Sequence, residues 1–515
     1  SHGDSESLSI AELYDGAVGV DGAVQLIASL PYVDTARIGV TGHSSGGTAA
    51  NMAVEIDNSR ETPLIAAVLQ QAGDWQDDTG GDHSGDYGSR SVGIIASTHD
   101  DFYFGTYDDA GNMLTNPAAF METDGAKKFL NFNEDGFAGI AEGGKYYTRD
   151  FDGKTAYRVI YRPNMIHPLV AFSTTCVGYA VDFFDTTLGA PKPLPASDQI
   201  WPIKAVFNSL GVIGLLIFMV SFTLVLLDTP VFSALRSGEI VQPAPVQDSG
   251  AKAWYWVLLI IGAVFSGSSF LFCMNTVYSK TTNFFVQTGP LTIGTWAALC
   301  GVFAIFCSAV FYGAYGKKHG WSARRAGLYL NLEQLWKTIA LAVIVIVVSF
   351  GLVFAAHYFF QVDYRMYVVA FKTFGADKVL IALRYLPFFL LFYVMNSISA
   401  NCFNYNTIGG KNGNILIFAF FNALGAIFVV ASQYIYFYAT GYQLYGLTEG
   451  QRIGPIWLFP CMVLLFVTPI MSRIIYKRTR NPYIAGLINA MFIVMISCSN
   501  TTTILGGGEL IATTF

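Results

Sequence analysis

Hydrophobic positions follow two different patterns along the chain. Up to about residue 198, short apolar runs alternate with acidic and Gly-rich loops such as GDWQDDTGGDHSGD. From Trp201 onward, long apolar runs recur with only short polar loops between them. Since roughly 20 consecutive apolar residues cross a bilayer as a helix, this division predicts a soluble domain at 1–190, a Pro-containing linker at 191–203 and a helical membrane domain at 204–515.

Eight apolar runs in the second part have the length of a spanning helix. The connections after the fourth and the sixth run, 361–378 and 439–453, are amphipathic enough to lie at the membrane interface. The predicted spans are 204–228, 253–276, 289–314, 334–360, 379–400, 413–438, 454–474 and 482–500.

Basic residues are unevenly divided between the two sets of loops. The loops that contain KKHGWSARR and RIIYKRTR, with the others on their side, hold about twice as many Lys and Arg as the opposite loops, which marks their side as cytoplasmic. The soluble domain precedes the first span. We therefore expect a multi-pass protein of the plasma membrane whose soluble domain faces outward.

The soluble part alternates strand-like with helix-like segments. The runs RIGVTG, PLIAAVLQQAG, SVGIIAST and AYRVIYRP are typical of buried strands. Helical patterns occur in YDGAVGVDGAVQLIASL, SSGGTAANMAVEID and HPLVAFSTTCVGYAVDFFDTTLG, and a short helix is expected around AKKFLNF. The predicted fold class is therefore α/β with a parallel sheet, followed by an all-α membrane domain of about eight transmembrane helices.

Composition excludes several classes of function. The net charge is −6 and no basic stripe is present, so we expect no nucleic-acid partner. Only Cys176 of the seven cysteines lies in the soluble part, and no Cys-x-x-Cys or Cys/His ligand spacing occurs. Neither a disulfide framework nor a metal site is predicted, and no cofactor is expected.

A candidate nucleophile stands in TGHSSGG. Residues Gly42-His43-Ser44-Ser45-Gly46 fit the pattern G-x-S-x-G, between the strand RIGVTG and a helix-like run. A serine on such a strand–turn–helix elbow has strained backbone angles, so its neighbours two positions away must be small. It also lies at a helix N-terminus, where the backbone N–H of Ser45 is a candidate oxyanion donor.

An acid and a histidine follow the serine in the order that this chemistry requires. The strand SVGIIAST ends in His99-Asp100-Asp101-Phe102, and the last strand is followed by His167. A carboxylate at a strand end can hold an imidazole in the tautomer that accepts the serine proton. We predict Asp100 as this acid, with Asp101 in reserve, and His167 as the general base.

The same segments resemble the α/β-hydrolase superfamily, in its esterase/lipase and dienelactone-hydrolase-like branches. LPYVDTARIGVTGHSSGG is similar to the family's helix, fifth strand and elbow, STHDDF to its acid loop and NMIHPLV to its histidine loop. The resemblance covers about 1–190, the C-terminal half of such a domain. From their positions, His43 at the variable residue of the elbow and Phe102 directly after the acid loop are expected to shape the pocket.

The beginning of the chain resembles the same family. SHGDSE is similar to the loop that follows the fourth strand. On this reading the first four strands are missing, together with the loop that gives the second oxyanion donor, and the chain is a piece of a longer protein. The alternative is that SHGDSE is merely a polar terminus.

Two further features leave alternatives open. Phe102–Thr155 is long for a connection between strands, and it is either a lid over the pocket or a solvated insertion. In the spans, Arg384, His357 and Asn396 are the polar residues of interest, although Arg384 and His357 lie near predicted ends, where snorkelling explains them.

The sequence predicts a membrane-bound serine hydrolase that acts on an ester or related acyl substrate, either a small molecule or a lipid, with membrane lipids around it. Eight spans exceed what an anchor needs, so a transporter or flippase with an accessory hydrolase domain is one alternative. An acyltransferase to an envelope lipid or glycan is another, and a non-catalytic binding domain is the third.

Overall fold

The computed structural model describes residues 9–76, 81–108, 113–237, 248–403, 408–505 and 508–509. Within them the chain forms two compact units. One contains the described residues up to Ile200 together with Ser432–Ile453, and the other contains Trp201–Ala431 together with Gly454–Gly508. The first therefore includes a segment that sequence patterns assign to the membrane domain.

The first unit is an α/β structure. Its helices are α1 (Ile10–Asp15), α2 (Val20–Ala28), α3 (Ser45–Asn58), α4 (Asp124–Leu130), α5 (His167–Val170) and α6 (Thr174–Leu188). Its strands are β1 (Ile38–His43), β2 (Ile65–Gln71), β3 (Ser91–Ile95), β4 (Thr106–Tyr107), β5 (Met113–Thr115), β6 (Tyr147–Phe151) and β7 (Lys154–Tyr161). Short 3₁₀ turns cover Ala17–Gly19, Thr35–Arg37 and Pro117–Glu122.

Five of these strands form one sheet in the order β1-β2-β3-β7-β6. The first four are parallel, with His43 opposite Gln71 and Ile95 opposite Tyr161, and only β6 pairs antiparallel. Every residue of β3 is buried, as expected for a central strand covered on both faces. The predicted parallel sheet is confirmed, and all four predicted strands belong to it.

Close packing of α3 on the sheet follows from its small residues. Ala49, Ala50 and Ala53 are all buried. A Cβ at Gly47 would overlap the amide oxygen of Gln70 on β2. Helix α3, which follows the candidate nucleophile, therefore lies directly against β2.

Part of the stretch Phe102–Thr155 packs on the core, while most of its described residues are exposed or half-buried. It contains the β4–β5 hairpin, the predicted helix α4 and strand β6, which sequence patterns did not indicate. The side chains of Phe120 and Phe129 are buried, and their rings lie 5.9 and 5.5 Å from the ring of Trp75. This apolar contact area holds the stretch on the core.

Two predicted helices are broken in the structure. Val18 has a φ of 55°, which separates a 3₁₀ turn from α2 within the first helical pattern. The last pattern is divided into α5 and α6, because Ser173 caps the second helix with a hydrogen bond from the N–H of Cys176. Serine at this position competes with helix continuation and favours a new N-terminus.

The second unit is helical. It contains α7 (Trp201–Leu227), α8 (Ser249–Thr276), α9 (Thr288–Phe311), α10 (Leu332–Phe360), α11 (Ala376–Cys402), most of α12 (Gly410–Thr440) and α13 (Glu449–Thr479), and α14 (Pro482–Ser499). Two-residue strands β8 (Lys280–Thr281) and β11 (Gly508–Glu509) pair, and β9 (Tyr364–Met366) forms a hairpin with β10 (Val369–Phe371).

The eight long helices agree with the eight predicted spans. Each is long and apolar enough to cross a membrane, which supports a multi-pass membrane protein. Their ends differ from the predicted ones where charged residues continue a helix. In particular, α12 and α13 extend toward each other and reduce their connection to 441–448.

Two charged residues that the sequence places in loops are buried in the helical unit. Arg473, which we assigned to an orienting loop, lies inside α13 and donates hydrogen bonds to the side-chain oxygens of Asn401 and Asn414. Lys378 lies at the start of α11 and donates to the hydroxyl of Thr503. Neither residue is solvated, so counting both as loop charges was wrong.

Two of the three polar span residues singled out by the sequence have hydrogen-bond partners on their side chains. Arg384 donates to the carbonyl of Phe284, while His357 is half-buried near the end of α10. Asn396 is buried and donates to the side chain of Asn422, at 2.6 Å. Arg384 lies about two turns inside α11, so the interpretation of this residue as snorkelling stays a prediction.

Candidate functional site

Polar side chains follow all four parallel strands at their carboxyl ends. Ser44 comes directly after β1, Asp74 follows β2, Asp100 follows β3 and His167 follows β7. Because parallel strands end at the same edge of a sheet and neighbours lie about 5 Å apart, these residues converge. This edge is the usual place for a ligand site in such sheets.

Ser44 has the backbone of an elbow. Its φ is 57° and its ψ −127°, a conformation that costs a non-glycine residue about 1–3 kcal/mol. Its N–H donates to the backbone carbonyl of Gln71 on β2. Its own carbonyl accepts from the N–H of Gly47 in the first turn of α3. These contacts hold the serine between strand and helix, as the motif predicts.

The two glycines of the motif differ in their surroundings. A Cβ at Gly42 would overlap the carbonyl of Gly46, so the turn requires glycine there. A Cβ at Gly46 would meet no atom of the described residues within 4 Å. The expected need for a small residue is therefore observed two positions before the serine, and not two positions after it.

Ser45 is the first residue of α3 and is buried. The helix dipole adds positive potential at this end of the helix. The Ser45 N–H is therefore positioned to stabilise the negative oxygen that forms when a carbonyl group is attacked by Ser44.

Asp100 and His167 form a hydrogen-bonded pair. The carboxylate oxygens lie 2.9 and 3.0 Å from Nδ1 of His167, and both side chains are buried. Burial alone raises the pKa of Asp100, but the charge and hydrogen bond of His167 and the N–H groups of Tyr103 and Phe102 outweigh it, so this pKa is lowered. An ionised Asp100 fixes the tautomer in which Nε2 is the free acceptor.

Asp101 makes a different contact. Its Oδ2 accepts the backbone N–H of His167 at 3.2 Å, and its side chain is fully buried. Burial, together with the charge of Asp100, raises the pKa of Asp101 well above its ordinary value. The reserve acid thus supports the main chain of the histidine loop, whereas the imidazole contacts Asp100.

His43 lies against the candidate base. The two imidazole rings are 4.9 Å apart, and Nε2 of His43 donates to the backbone carbonyl of His167 at 3.1 Å. Burial and the charge of His167 lower the pKa of His43 to about 4. His43 is therefore neutral near pH 7, and its Nε2 proton holds the histidine loop.

The structure brings Asp100 and His167 together. Ser44 directly follows His43, whose ring contacts His167. Among the described residues the hydroxyl of Ser44 makes no hydrogen bond. Serine–histidine contacts are often long before a substrate binds. Among the described residues the structure therefore shows the Asp100–His167 part of the predicted triad and no hydrogen bond from Ser44 to His167.

Aromatic side chains connect His167 to a cavity. The rings of Phe102 and Tyr103 lie 4.9 and 5.9 Å from the ring of His167. Both residues also line a cavity of about 370 Å³, whereas Ser44 and His167 do not. Its other walls include Asp74, Trp75, Phe104, Phe120, Glu449 and Arg452.

Asp74 is a site residue that the sequence analysis missed. It is buried at the end of β2, its Oδ1 accepts the N–H of Gln76, and its carbonyl accepts from the side chain of Asn51. Burial raises its pKa to about 7, with the Gln76 hydrogen bond opposing the shift and the charge of Asp100 adding to it. Its place after a buried strand was the available signal.

Within the described ranges, no three His, Cys, Asp or Glu side chains are arranged as a metal site. Comparison of the chain with family models, with curated proteins and with solved structures finds no match. The assignment of a function therefore depends on the residues and geometry of the site itself.

Proposed function

We propose that this chain is a membrane-bound serine hydrolase of the esterase/lipase kind, with an α/β unit that resembles part of an α/β-hydrolase domain and faces outward from the plasma membrane. The observation that carries the proposal is the strained elbow at Ser44 together with the hydrogen-bonded Asp100–His167 pair, which follow the carboxyl ends of strands in one parallel sheet. Backbone strain is retained where the surrounding structure maintains it for a function.

In the first half of the proposed reaction, Oγ of Ser44 attacks the carbonyl carbon of an ester while Nε2 of His167 takes the hydroxyl proton. The carbonyl oxygen becomes an anion that accepts a hydrogen bond from the Ser45 N–H. Collapse of this intermediate breaks the bond to the leaving alcohol, which takes the proton from His167, and leaves the acyl group on Ser44. Asp100 stabilises the imidazolium in both steps.

In the second half, water attacks the acyl carbon and gives its proton to His167. Collapse releases the carboxylic acid and returns the proton to Ser44. An alcohol in place of water gives acyl transfer instead, the reaction of an acyltransferase acting on an envelope lipid or glycan. Product analysis with and without an added alcohol acceptor separates the two reactions.

The cavity beside His167 supports an acyl substrate. Its aromatic walls favour burial of apolar groups, and Phe102 and Tyr103 contact both the cavity and the candidate base. Its volume, about 370 Å³, suits a small acyl or alcohol group rather than a whole lipid. A lipid substrate would therefore place only a short group next to its reacting carbonyl here, with the carbonyl itself at Ser44.

Ester hydrolysis by the purified full chain tests the proposal. We expect turnover of short p-nitrophenyl esters to fall to the background in Ser44→Ala and by about 10³-fold or more in His167→Gln, because both remove the nucleophilic step. Ser173→Ala, at the cap of α6, is the matched serine control and should retain turnover. Equal rates in wild type and Ser44→Ala would contradict the proposal.

One observation favours a transporter or flippase as second candidate. A cavity of about 170 Å³ lies among α8, α9, α11 and α12, with apolar walls and the hydrogen-bonded amides of Asn396 and Asn422. Polar groups at depth between helices often mark a pathway. Substrate flux into vesicles that persists in Ser44→Ala and is lost in Asn396→Leu would favour this candidate.

A further inference from the structure

The connection between α12 and α13 packs with the α/β unit. Ser432–Ile453 belongs to that unit and is folded on itself, because the side-chain oxygen of Gln433 accepts the N–H groups of Leu444 and Tyr445. Gln433 is completely buried. We call this segment, 432–453, the strap.

The strap contacts the loop that carries the candidate acid. Nε2 of Gln443 donates to the backbone carbonyl of Asp101 at 2.6 Å and to the hydroxyl of Tyr107 at 3.2 Å. That hydroxyl donates in turn to the same carbonyl, at 3.3 Å. The guanidinium of Arg452 lies 4.8 Å from the centre of the Tyr107 ring.

The strap also contacts the other flank of this loop. The ring of His99, which immediately precedes Asp100, lies 4.5 Å from the ring of Tyr438 and 5.4 Å from that of Phe437. His99 pairs in turn with Ile166, immediately before His167, in a parallel bridge. Strap residues therefore touch the acid loop on both sides of the Asp100–Asp101 pair.

Asp101 relays the contact with Gln443 to the candidate base. Its carbonyl accepts from Gln443, while its carboxyl accepts the N–H of His167. The preceding residue, Asp100, holds the imidazole itself. A displacement of the Asp101 backbone would change both contacts of His167, and misplacement of a catalytic group by about 1 Å can lower a rate 10²-fold.

We propose that Gln443 is a positioning residue of the hydrolase: through Asp101 it holds the acid loop at the distance from His167 that turnover requires. This inference rests on the proposed function. It makes the connection between the sixth and seventh long helices a part of the hydrolase site, and not only a link within the membrane region.

Gln443→Met in the full chain tests the proposal, since Met keeps the length of the side chain and removes its donor. We expect kcat for a short p-nitrophenyl ester to fall about 10–100-fold with KM changed less than about threefold, because positioning affects the reacting geometry more than binding. Hydrogen exchange in residues 98–108 should become faster. Gln443→Asn, with a shorter side chain that retains the amide, should recover part of kcat.

Gln451→Met is the matched control. Its side-chain oxygen accepts the N–H of Leu447 within the strap. It should leave kcat and the exchange of residues 98–108 within about twofold of wild type, since a lost surface hydrogen bond has a small effect. Unchanged kcat in Gln443→Met, or an equal loss in both variants, would overturn the inference. Absence of Ser44-dependent turnover in the wild type would instead overturn the proposed function.

Discussion

His167 is held from three directions, and each contact has a different role. Asp100 binds its Nδ1, Asp101 binds its backbone N–H, and His43 donates to its carbonyl. Only the first contact sets the tautomer, while the other two set the position of the loop. A substitution in each partner should therefore have a distinct effect.

Asp100→Asn and Asp101→Asn should separate the two carboxyls. We expect Asp100→Asn to lower kcat about 10³–10⁴-fold, because an amide there favours the wrong imidazole tautomer. Asp101→Asn should cost about tenfold or less, because its amide oxygen can still accept the backbone N–H. Steady-state ester kinetics give both values. A larger loss in Asp101→Asn would reverse the assignment of the acid.

The neutral state of His43 predicts a pH effect on stability. Its pKa is about 4 in the folded chain, against about 6.5 in an unfolded chain. Between these values the unfolded chain binds the extra proton, so this residue makes stability rise with pH, and its contribution levels off above about pH 7.5. The apparent melting temperature of wild type should therefore rise more steeply from pH 4.5 to 6.5 than that of His43→Gln.

Parallel slopes for the two proteins over that range would contradict the neutral state of His43. Above about pH 7.5 the difference between their melting temperatures should be constant, which serves as the internal control.

At the scale of elements, the site depends on how closely α3 approaches β1 and β2. Gly42 allows the turn and Gly47 allows the contact with Gln70. Behind them the amides of Gln70 and Asn51 bond to each other, and Asn51 holds the carbonyl of Asp74. Strand ends and helix start thus form one connected support beneath the candidate nucleophile.

Gly42→Ala and Gly46→Ala form a matched pair that tests the elbow. The first should destabilise the α/β unit by about 1–3 kcal/mol, the usual cost of overpacking. The second should be neutral or stabilising by up to about 1 kcal/mol, since alanine favours the helix and meets open space. Thermal unfolding of the full chain compares them. Equal destabilisation would contradict the steric account.

At the scale of the whole molecule, the number of long helices that precede the strap agrees with the assignment of the strap to the α/β unit. Six of them, α7 to α12, lie between the α/β strands and the strap. An even number of crossings returns the chain to its starting side. The presence of the strap in the α/β unit is therefore compatible with all six helices crossing a membrane.

Cysteine labelling tests this topology. In a background without the seven native cysteines, Lys145→Cys in the α/β unit and Lys318→Cys after α9 introduce exposed thiols. Three helices separate the two sites. We expect an impermeant maleimide to label Cys at 145 in intact cells, and Cys at 318 only after permeabilisation. Labelling of both in intact cells would contradict the topology.

Local patterns predicted the parts of the molecule that depend on neighbouring residues. The strand runs, the elbow motif and the eight long apolar runs can each be recognised from the spacing of apolar residues and from the turn or cap residues next to them. The contact of Gln443 with Asp101 joins residues 342 positions apart, and no local signal marks it. Arg473 and Asp74 were missed because a charged residue at a helix end or in an acidic loop has the same local pattern whether it is solvated or buried.

The central claim is that Ser44 is an activated nucleophile, and covalent labelling tests it most directly. The full chain is treated with a fluorophosphonate probe, digested, and the modified peptide is identified by mass spectrometry. We predict one adduct, on Ser44, which is lost in Ser44→Ala and forms at least about 10²-fold more slowly in His167→Gln. An adduct on another residue, or labelling that persists in Ser44→Ala, would contradict the account.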